Sequence, residues 1–554
     1  MTAALRVICL LVCVLLMASA QQAAPQAVPQ KFRISGTAVN AATEQPLAGT
    51  LIEIGLAQKQ DAAQSVQTDG TGRFVFEGLV PAKYWLVGER QGFLRQGFNE
   101  HSGFFTAIVV GPGLQSEDLI FRLRPDASIS GAITDDQNEA VREANVYLFV
   151  DDTEEGEHRT SQPAQAGTDS EGRYRFSHLR PGKYFVAVSA RPWYAQNRQP
   201  QGFGSLSGGS DGVAGDTAQV ESSAKPSPLD VAYPFTYYAD AVEPDSATPI
   251  ILKPGDRTKA DITLSAVPAL HLRILTAGMS SSPNSGLGAN ASLRAMGGRI
   301  FPVPVSNMNA VGAMEITGFA PGDYLLNLTS YGQEQRNWTQ SVRLTADAEV
   351  DGTKAHASPT LTGVVTLDGM PLAGKGYVRL WNPASGNVFS TQVNAKGEFE
   401  FRLQAVRPGR YQVAVFNIPD ATITAVSASG ARVTGASVSI GEDAIIKLTV
   451  SISKGLGEVN GVAERDGVPL PGAMVVLVPD QLDGNESLFR RDQSDSDGTF
   501  SLRNVVPGKY AVVAIEQGWD LEWGKAEVLK PYLTNGEAIE IIAKGKYRVK
   551  VKVQ

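Results

Sequence analysis

Few residues in this chain could do chemistry, and their spacing argues against most of it. The five histidines, His101, His158, His178, His271 and His356, lie at least 20 residues apart. A zinc protease needs two histidines about one helical turn apart, and no histidine here has such a partner. His178 occupies a turn slot that Gly78 fills in an earlier copy of the same segment, so it reads as a solvated loop residue. Ser205 and Ser207 lie in a Gly/Ser stretch, Gly202 to Gly215, without the Gly-x-Ser-x-Gly elbow of a serine hydrolase. Asp492, Asp495 and Asp497 invite a calcium reading. Gly498 is misplaced for a loop that starts at Asp492, however, and no bidentate glutamate closes one. These carboxylates read as turn formers. The expectation is therefore no catalytic residue, no metal ligand and no cofactor.

Aromatic side chains are the better candidates for contact with something outside. Phe93, Trp193 and Trp519 each stand nine residues after a tyrosine, at Tyr84, Tyr184 and Tyr510. Tyr194 adjoins Trp193, Trp523 follows Trp519 by one helical turn, and Tyr233, Phe235, Tyr237 and Tyr238 form a short run. Exposed Trp and Tyr faces stack on sugar rings or fill interface pockets. The competing reading is that a loop aromatic at a fixed offset plugs the open end of a β-sandwich.

Composition bounds the elements that must position these groups. The chain has 554 residues, 43% hydrophobic and 19% charged, with 56 glycines and 31 prolines. That is enough apolar matter for several packed cores, about four or five at ordinary domain size, joined by many turns. Forty-nine basic against 57 acidic residues leave a net charge of −8, which excludes nucleic acid as the expected partner.

The N-terminus reads as an export signal. Arg6 precedes an apolar run from Val7 to Met17, and Ala18-Ser19-Ala20 fits a small-x-small cleavage site. Cleavage near Ala20 removes Cys9 and Cys13, the only cysteines, so no disulfide or thiol remains. No later run is long enough to span a membrane as a helix. The expectation is a soluble product, periplasmic or extracellular, with residues 21–30 as a flexible leader.

Repetition decides the architecture. Pro81-Ala82-Lys83-Tyr84, Pro181-Gly182-Lys183-Tyr184, Pro321-Gly322-Asp323-Tyr324, Pro408-Gly409-Arg410-Tyr411 and Pro507-Gly508-Lys509-Tyr510 share one pattern, which reads as a type II turn into a strand. Upstream stand TDGTGRFVF, TDSEGRYRF, NAKGEFEF and SDSDGTFSL, acidic or amide glycine turns followed by aromatics. Gly36, Gly131, Gly363 and Gly461 open the units, 48, 53, 48 and 49 residues before Tyr84, Tyr184, Tyr411 and Tyr510. The copy ending at Tyr324 is degenerate, with Leu270 to Leu275 standing in for its opening strand. Side chains alternate with period two after each tyrosine, the mark of half-buried strands. Ile108–Gly111 is expected to pair with Ile120–Leu123, Ile250–Leu252 with Ile262–Leu264, and Val438–Ile440 with Ile445–Val450. The fold class is all-β: a tandem array of about five seven-stranded antiparallel sandwiches, Ig-like or prealbumin-like, after a signal peptide. Their expected spans are 31–125, 126–266 (with a flexible insertion at 195–230), 267–357, 358–452 and 453–554.

The order Gly, Pro-Leu-x-Gly, Asp-x-x-Gly-x-aromatic, Pro-Gly-x-Tyr resembles the carboxypeptidase regulatory-like domain, a transthyretin-like sandwich. It is also similar to starch-binding-like and Cna-B-like groups. The resemblance implies an accessory, structural or binding role in secreted or cell-envelope proteins of bacteria. It implies no peptidase activity, because the zinc site of the namesake enzymes belongs to a separate domain. Some relatives precede outer-membrane barrels; here the fifth sandwich is expected to end near Gln554 with none following. An isopeptide crosslink, known among Cna-B-like relatives, cannot be located from sequence. The favoured function is a non-enzymatic adhesion or accessory array that binds polysaccharide or an envelope protein. Its alternatives are a carbohydrate-binding protein using loop aromatics, or a subunit of a secreted hydrolase with its site in the second-unit insertion.

Overall fold

The computed structural model describes residues 31–554 apart from 58, 60–63, 155, 196–226, 277–285, 311, 332–335, 355, 358, 374–375, 383–385, 402–405, 407, 420, 443, 455 and 483–484. The signal segment, the leader, both cysteines and most of the 195–230 insertion, with Ser205 and Ser207, lie outside the described residues.

Two sheets pack face to face in each of five successive units. In the first, Phe32–Asn40 lies between Arg73–Leu79 and Leu119–Leu123, while Leu51–Leu56 and Ala82–Glu89 form the centre of the opposite sheet. Their inward residues, among them Ile34, Phe76 and Phe121 from one sheet and Ile52, Ile54 and Leu86 from the other, are fully or almost fully buried in a single core. Equivalent cores follow in the second, third, fourth and fifth units. One short α-helix, Ala526–Leu533, is added to the last unit.

The opening glycine and the turn aromatic are direct cross-strand partners: Gly36 with Phe74, Gly131 with Tyr174, Gly363 with Phe399 and Gly461 with Phe500. Each ring lies over its glycine, and the last strand of the unit closes the other side. A Cβ added at Gly36 would come 2.3 Å from the Leu119 carbonyl oxygen and 2.8 Å from Phe74 Cζ. The degenerate third unit replaces this pair with Ile274 opposite Met314. The motif tyrosine is buried, and its hydroxyl donates to the carbonyl four residues upstream: Tyr84 to Val80 at 3.1 Å, Tyr184 to Arg180 at 2.9 Å, Tyr324 to Ala320 at 2.6 Å and Tyr510 to Val506 at 2.8 Å. The tyrosine thus pins the corner before its own strand.

Three expectations about strands and turns are corrected. Ile108–Val110 pairs with Ala82–Glu89, whereas Leu119–Leu123 runs parallel to Phe32–Asn40 in the opposite sheet. The same split separates Ile250–Leu252 from Ile262–Leu264 and Val438–Ile440 from Ile445–Val450. A short glycine-containing link suits a hairpin and a crossing between sheets about 10 Å apart equally well. In each sandwich the first strand consequently runs parallel to the last, joined in the second unit by a further parallel pairing with Arg257–Lys259, so no sandwich is wholly antiparallel. Finally, the Pro-Gly glycine has positive φ only in the fourth and fifth units, 152° at Gly409 and 159° at Gly508, and not at Gly182 or Gly322; a left-handed residue falls elsewhere in the corner. It stands six residues before the tyrosine, at Gly78, His178, Gly318 and Asn504 with φ of 75°, 56°, 94° and 55°. There it forms a bulge in the strand that pairs with the opening strand.

Candidate functional site

The first and fifth sandwiches meet in a seam built from their turn chemistry. In the first, second and fourth units the turn residue Asp69, Asp169 or Asn394 accepts two backbone N–H bonds from residues two and four further on, at 2.8–3.0 Å. The fifth unit departs from this. Asp497 Oδ1 takes over the local role, accepting from Thr499 N at 3.0 Å and Thr499 Oγ1 at 2.5 Å. Asp495 turns outward instead, accepting from Ala107 N of the first unit at 3.1 Å and pairing with Lys83. Lys83 Nζ also donates to Thr499 Oγ1 at 2.7 Å, and Val109 N donates to Ser496 Oγ at 2.8 Å.

Apolar stacking continues the seam. Trp519 lies parallel to His101 with centroids 5.3 Å apart, and Phe104 lies 5.7 Å from the same indole. Trp519 Nε1 donates to Gly472 O at 3.3 Å. Gln493 bridges the units, donating to Asn99 O at 2.7 Å and Thr106 Oγ1 at 2.8 Å. Burial holds the His101 imidazole below its ordinary range, although a contact with Gln493 opposes this. Burial also raises the Asp492 carboxyl to about 6, against hydrogen bonds from Ser501 and Gln493, and raises Asp495 despite Lys83. Asp492, Asp495 and Asp497 are each engaged by N–H, hydroxyl or ammonium donors, and among the described residues no cluster of metal-ligating side chains occurs. The Lys83 side chain is 39% exposed, unlike the buried lysine that an isopeptide bond requires. These contacts hold the first and fifth sandwiches against each other.

The loop aromatics separate by position. Trp519 and Trp523, expected as ligand contacts, are each only 7% exposed. Trp523 packs beside Phe489, with the Arg491 guanidinium 4.3 Å from its ring, and lies against Gly156 of the second unit. Tyr237 is buried; its hydroxyl accepts from Met296 N of the third unit at 3.0 Å. Phe235 stacks between Tyr147 and Phe301, joining the second and third units. Tyr233 is buried in the second core with Tyr238 packed against it, and burial raises its hydroxyl pKa. Phe93 is half-buried beside Pro125 at the first junction. Trp193 stands apart. It is 83% exposed, with Tyr194 edge-on at 5.7 Å.

Sequence reasoning missed the residues that bind unit to unit. His271 of the third unit lies 2.6 Å from Asp230 of the second and 3.2 Å from Glu315. Nothing local marked Lys83, His101, Phe104 or Gln493, because their partners lie far along the chain.

Residues 33–123 and 128–203 match the profile of the carboxypeptidase regulatory-like domain, so the first two sandwiches carry that domain. Residues 459–536 match the second β-sandwich domain of NOMO1-like subunits of the BOS complex. No curated protein matches the chain. Among solved structures, the Bacillus anthracis TIE protein is similar at 12% identity, covering 98% of this chain and 77% of that one with a TM-score of 0.16. A streptococcal ancillary pilin is similar at 12% identity over 52% of this chain and 99% of its own, TM-score 0.18. The shaft pilin SpaA from Lactobacillus rhamnosus GG is similar at 8% identity over 43% of this chain and 98% of its own, TM-score 0.20.

Proposed function

We propose that this chain is a non-enzymatic, exported scaffold that acts as a structural and binding module at or outside the cell envelope. The observation that carries the reading is the contrast between two tryptophans at the same offset from their motif tyrosines. Trp519 is seated on the first sandwich, while Trp193 is 83% exposed beside Tyr194. A large aromatic surface held in water on a fixed loop is what an interface anchor presents before its partner arrives. The partner is an envelope protein or a polysaccharide. The test is retention of the full chain on isolated cell envelopes and on insoluble polysaccharides, with Trp193→Ala beside the unaltered protein. Retention lost in the variant without a change in thermal unfolding supports the reading. Equal retention by both proteins removes Trp193 as the anchor.

Carbohydrate recognition is a second reading, favoured by the same exposed indole, since a flat unshielded ring suits the C–H face of a sugar. Retention by polysaccharide alone, and not by envelope protein, distinguishes it.

A further inference from the structure

We propose that the cleft between the first and second sandwiches binds a carboxylate-bearing sugar, such as a uronic acid unit of an acidic polysaccharide. It goes beyond the scaffold reading and does not depend on Trp193. The cleft encloses about 530 Å3 and is lined by Arg90, Arg95, Arg124 and Arg180, with Phe93 in its wall. That volume lies within the range of small-ligand sites.

Charge argues for an anion. The chain as a whole carries −8, yet four guanidinium groups converge here. Arg95 is matched to Glu53 at 3.0 Å and Glu89 at 3.3 Å, and Arg180 to Glu100 at 2.9 Å. Arg90 and Arg124 meet no carboxylate among the described residues; they donate to the backbone carbonyls of Ala48 and Glu100. Glu100 has its other carboxylate oxygen on Gly97 N at 2.7 Å, which fixes it in place. His178, also lining the cleft, is held by Asp126 at 2.9 Å. Four guanidiniums against Glu53, Glu89 and Glu100 leave the site positive. Each guanidinium has five N–H donors in a planar fork, and the protein engages one or two of them on each. The remaining donors are pre-positioned by the carbonyl ties, so little ordering is needed on binding.

Shape and apolar surface argue for a sugar acid over a bare ion. The half-buried Phe93 ring has the Arg90 guanidinium 5.9 Å from its centroid. The guanidinium lies over one face of the ring, so the cation and the part of Phe93 that it leaves uncovered form one surface, which a pyranose can meet with its carboxylate and its C–H groups. A planar carboxylate accepts two parallel N–H bonds from arginine.

Calorimetric titration of the full chain with a galacturonic acid trimer, a neutral galactose trimer and sodium sulfate tests the site. The acid trimer is expected to bind, with affinity that falls as salt rises. Arg90→Gln and Arg124→Gln are each expected to weaken it about tenfold or more, with thermal unfolding unchanged. The neutral trimer and sulfate are expected to bind far more weakly. Absence of acid-trimer binding at about millimolar concentration, equal binding of the neutral trimer, sulfate matching the acid trimer, or unaltered affinity in both arginine variants would each overturn the proposal. Trp193→Ala is expected to leave acid-trimer binding intact; its loss there would move the ligand out of the cleft and overturn this assignment while leaving the exposed-anchor reading in place.

Discussion

Trp519 and His101, separated by most of the chain, stack 5.3 Å apart with their planes 10° from parallel. Around them Met474, Val476, Ile515 and Trp523 form a buried cluster against which Phe104 of the first sandwich packs. The seam therefore combines core packing with the Lys83–Asp495 pair and several hydrogen bonds. Trp519→Ala is expected to destabilise the fifth sandwich by about 3–5 kcal/mol, as for a large aromatic removed from a core. The same change should part the two end units and enlarge the radius of gyration in small-angle scattering. Trp193→Ala, at a solvent-facing position, should shift stability by no more than about 0.5 kcal/mol. Equal unfolding temperatures for the two variants would contradict the seam.

His271 makes the junction of the second and third sandwiches sensitive to pH. Desolvation lowers its pKa, but hydrogen bonds to Asp230 and Glu315, with Asp347 nearby, outweigh that and leave it raised above 6.5. A raised imidazole stabilises the folded state fully below its unfolded value, and the contribution disappears as pH climbs through the folded value. His271→Ala is accordingly expected to cost about 1 kcal/mol near pH 6 and much less at pH 9. Denaturant titrations at the two pH values measure this, and a cost independent of pH would contradict it. Proton NMR of the imidazole gives the midpoint directly.

Gly36→Ala is expected to destabilise by about 1–3 kcal/mol, the cost of overpacking. An alanine in an unhindered strand would ordinarily help. Here the new methyl meets the Leu119 carbonyl and the Phe74 ring. Gly70→Ala is the control, because nothing lies within 4 Å of its added Cβ. Chemical denaturation of the two variants compares them, and similar midpoints would remove the close-approach explanation for the opening glycine.

Local chemistry explains what was legible beforehand. Period-two alternation and the recurring glycine, aromatic and tyrosine motifs are settled within about 50 residues, so strands, cores and repeats were visible in the sequence. Which sheet receives Leu119–Leu123 was not, since a short glycine-rich link serves a hairpin or a crossing equally. The candidate contacts show the same boundary more sharply. Trp193 and Trp519 share an offset and a neighbouring motif, yet one is exposed and the other is covered by Phe104 and His101. What faces a loop is decided by how whole units pack, and no residue near either tryptophan records it. Asp495 is similar: its turn motif was readable, but its release toward Lys83 depends on Asp497 taking over the local bonds.

The contact between Lys83 and Asp495 joins residues 412 positions apart. Loop closure grows only slowly with length, by about 0.6 kcal/mol per doubling, so distance is a small obstacle. Timing is the larger one. Synthesis proceeds from the amino end, and domains fold as they emerge. The leading sandwich thus completes itself while its counterpart is still unmade, and the hydrophobic patch at Phe104 faces water throughout that interval. A chain cut short before the fifth sandwich would keep that patch permanently uncovered.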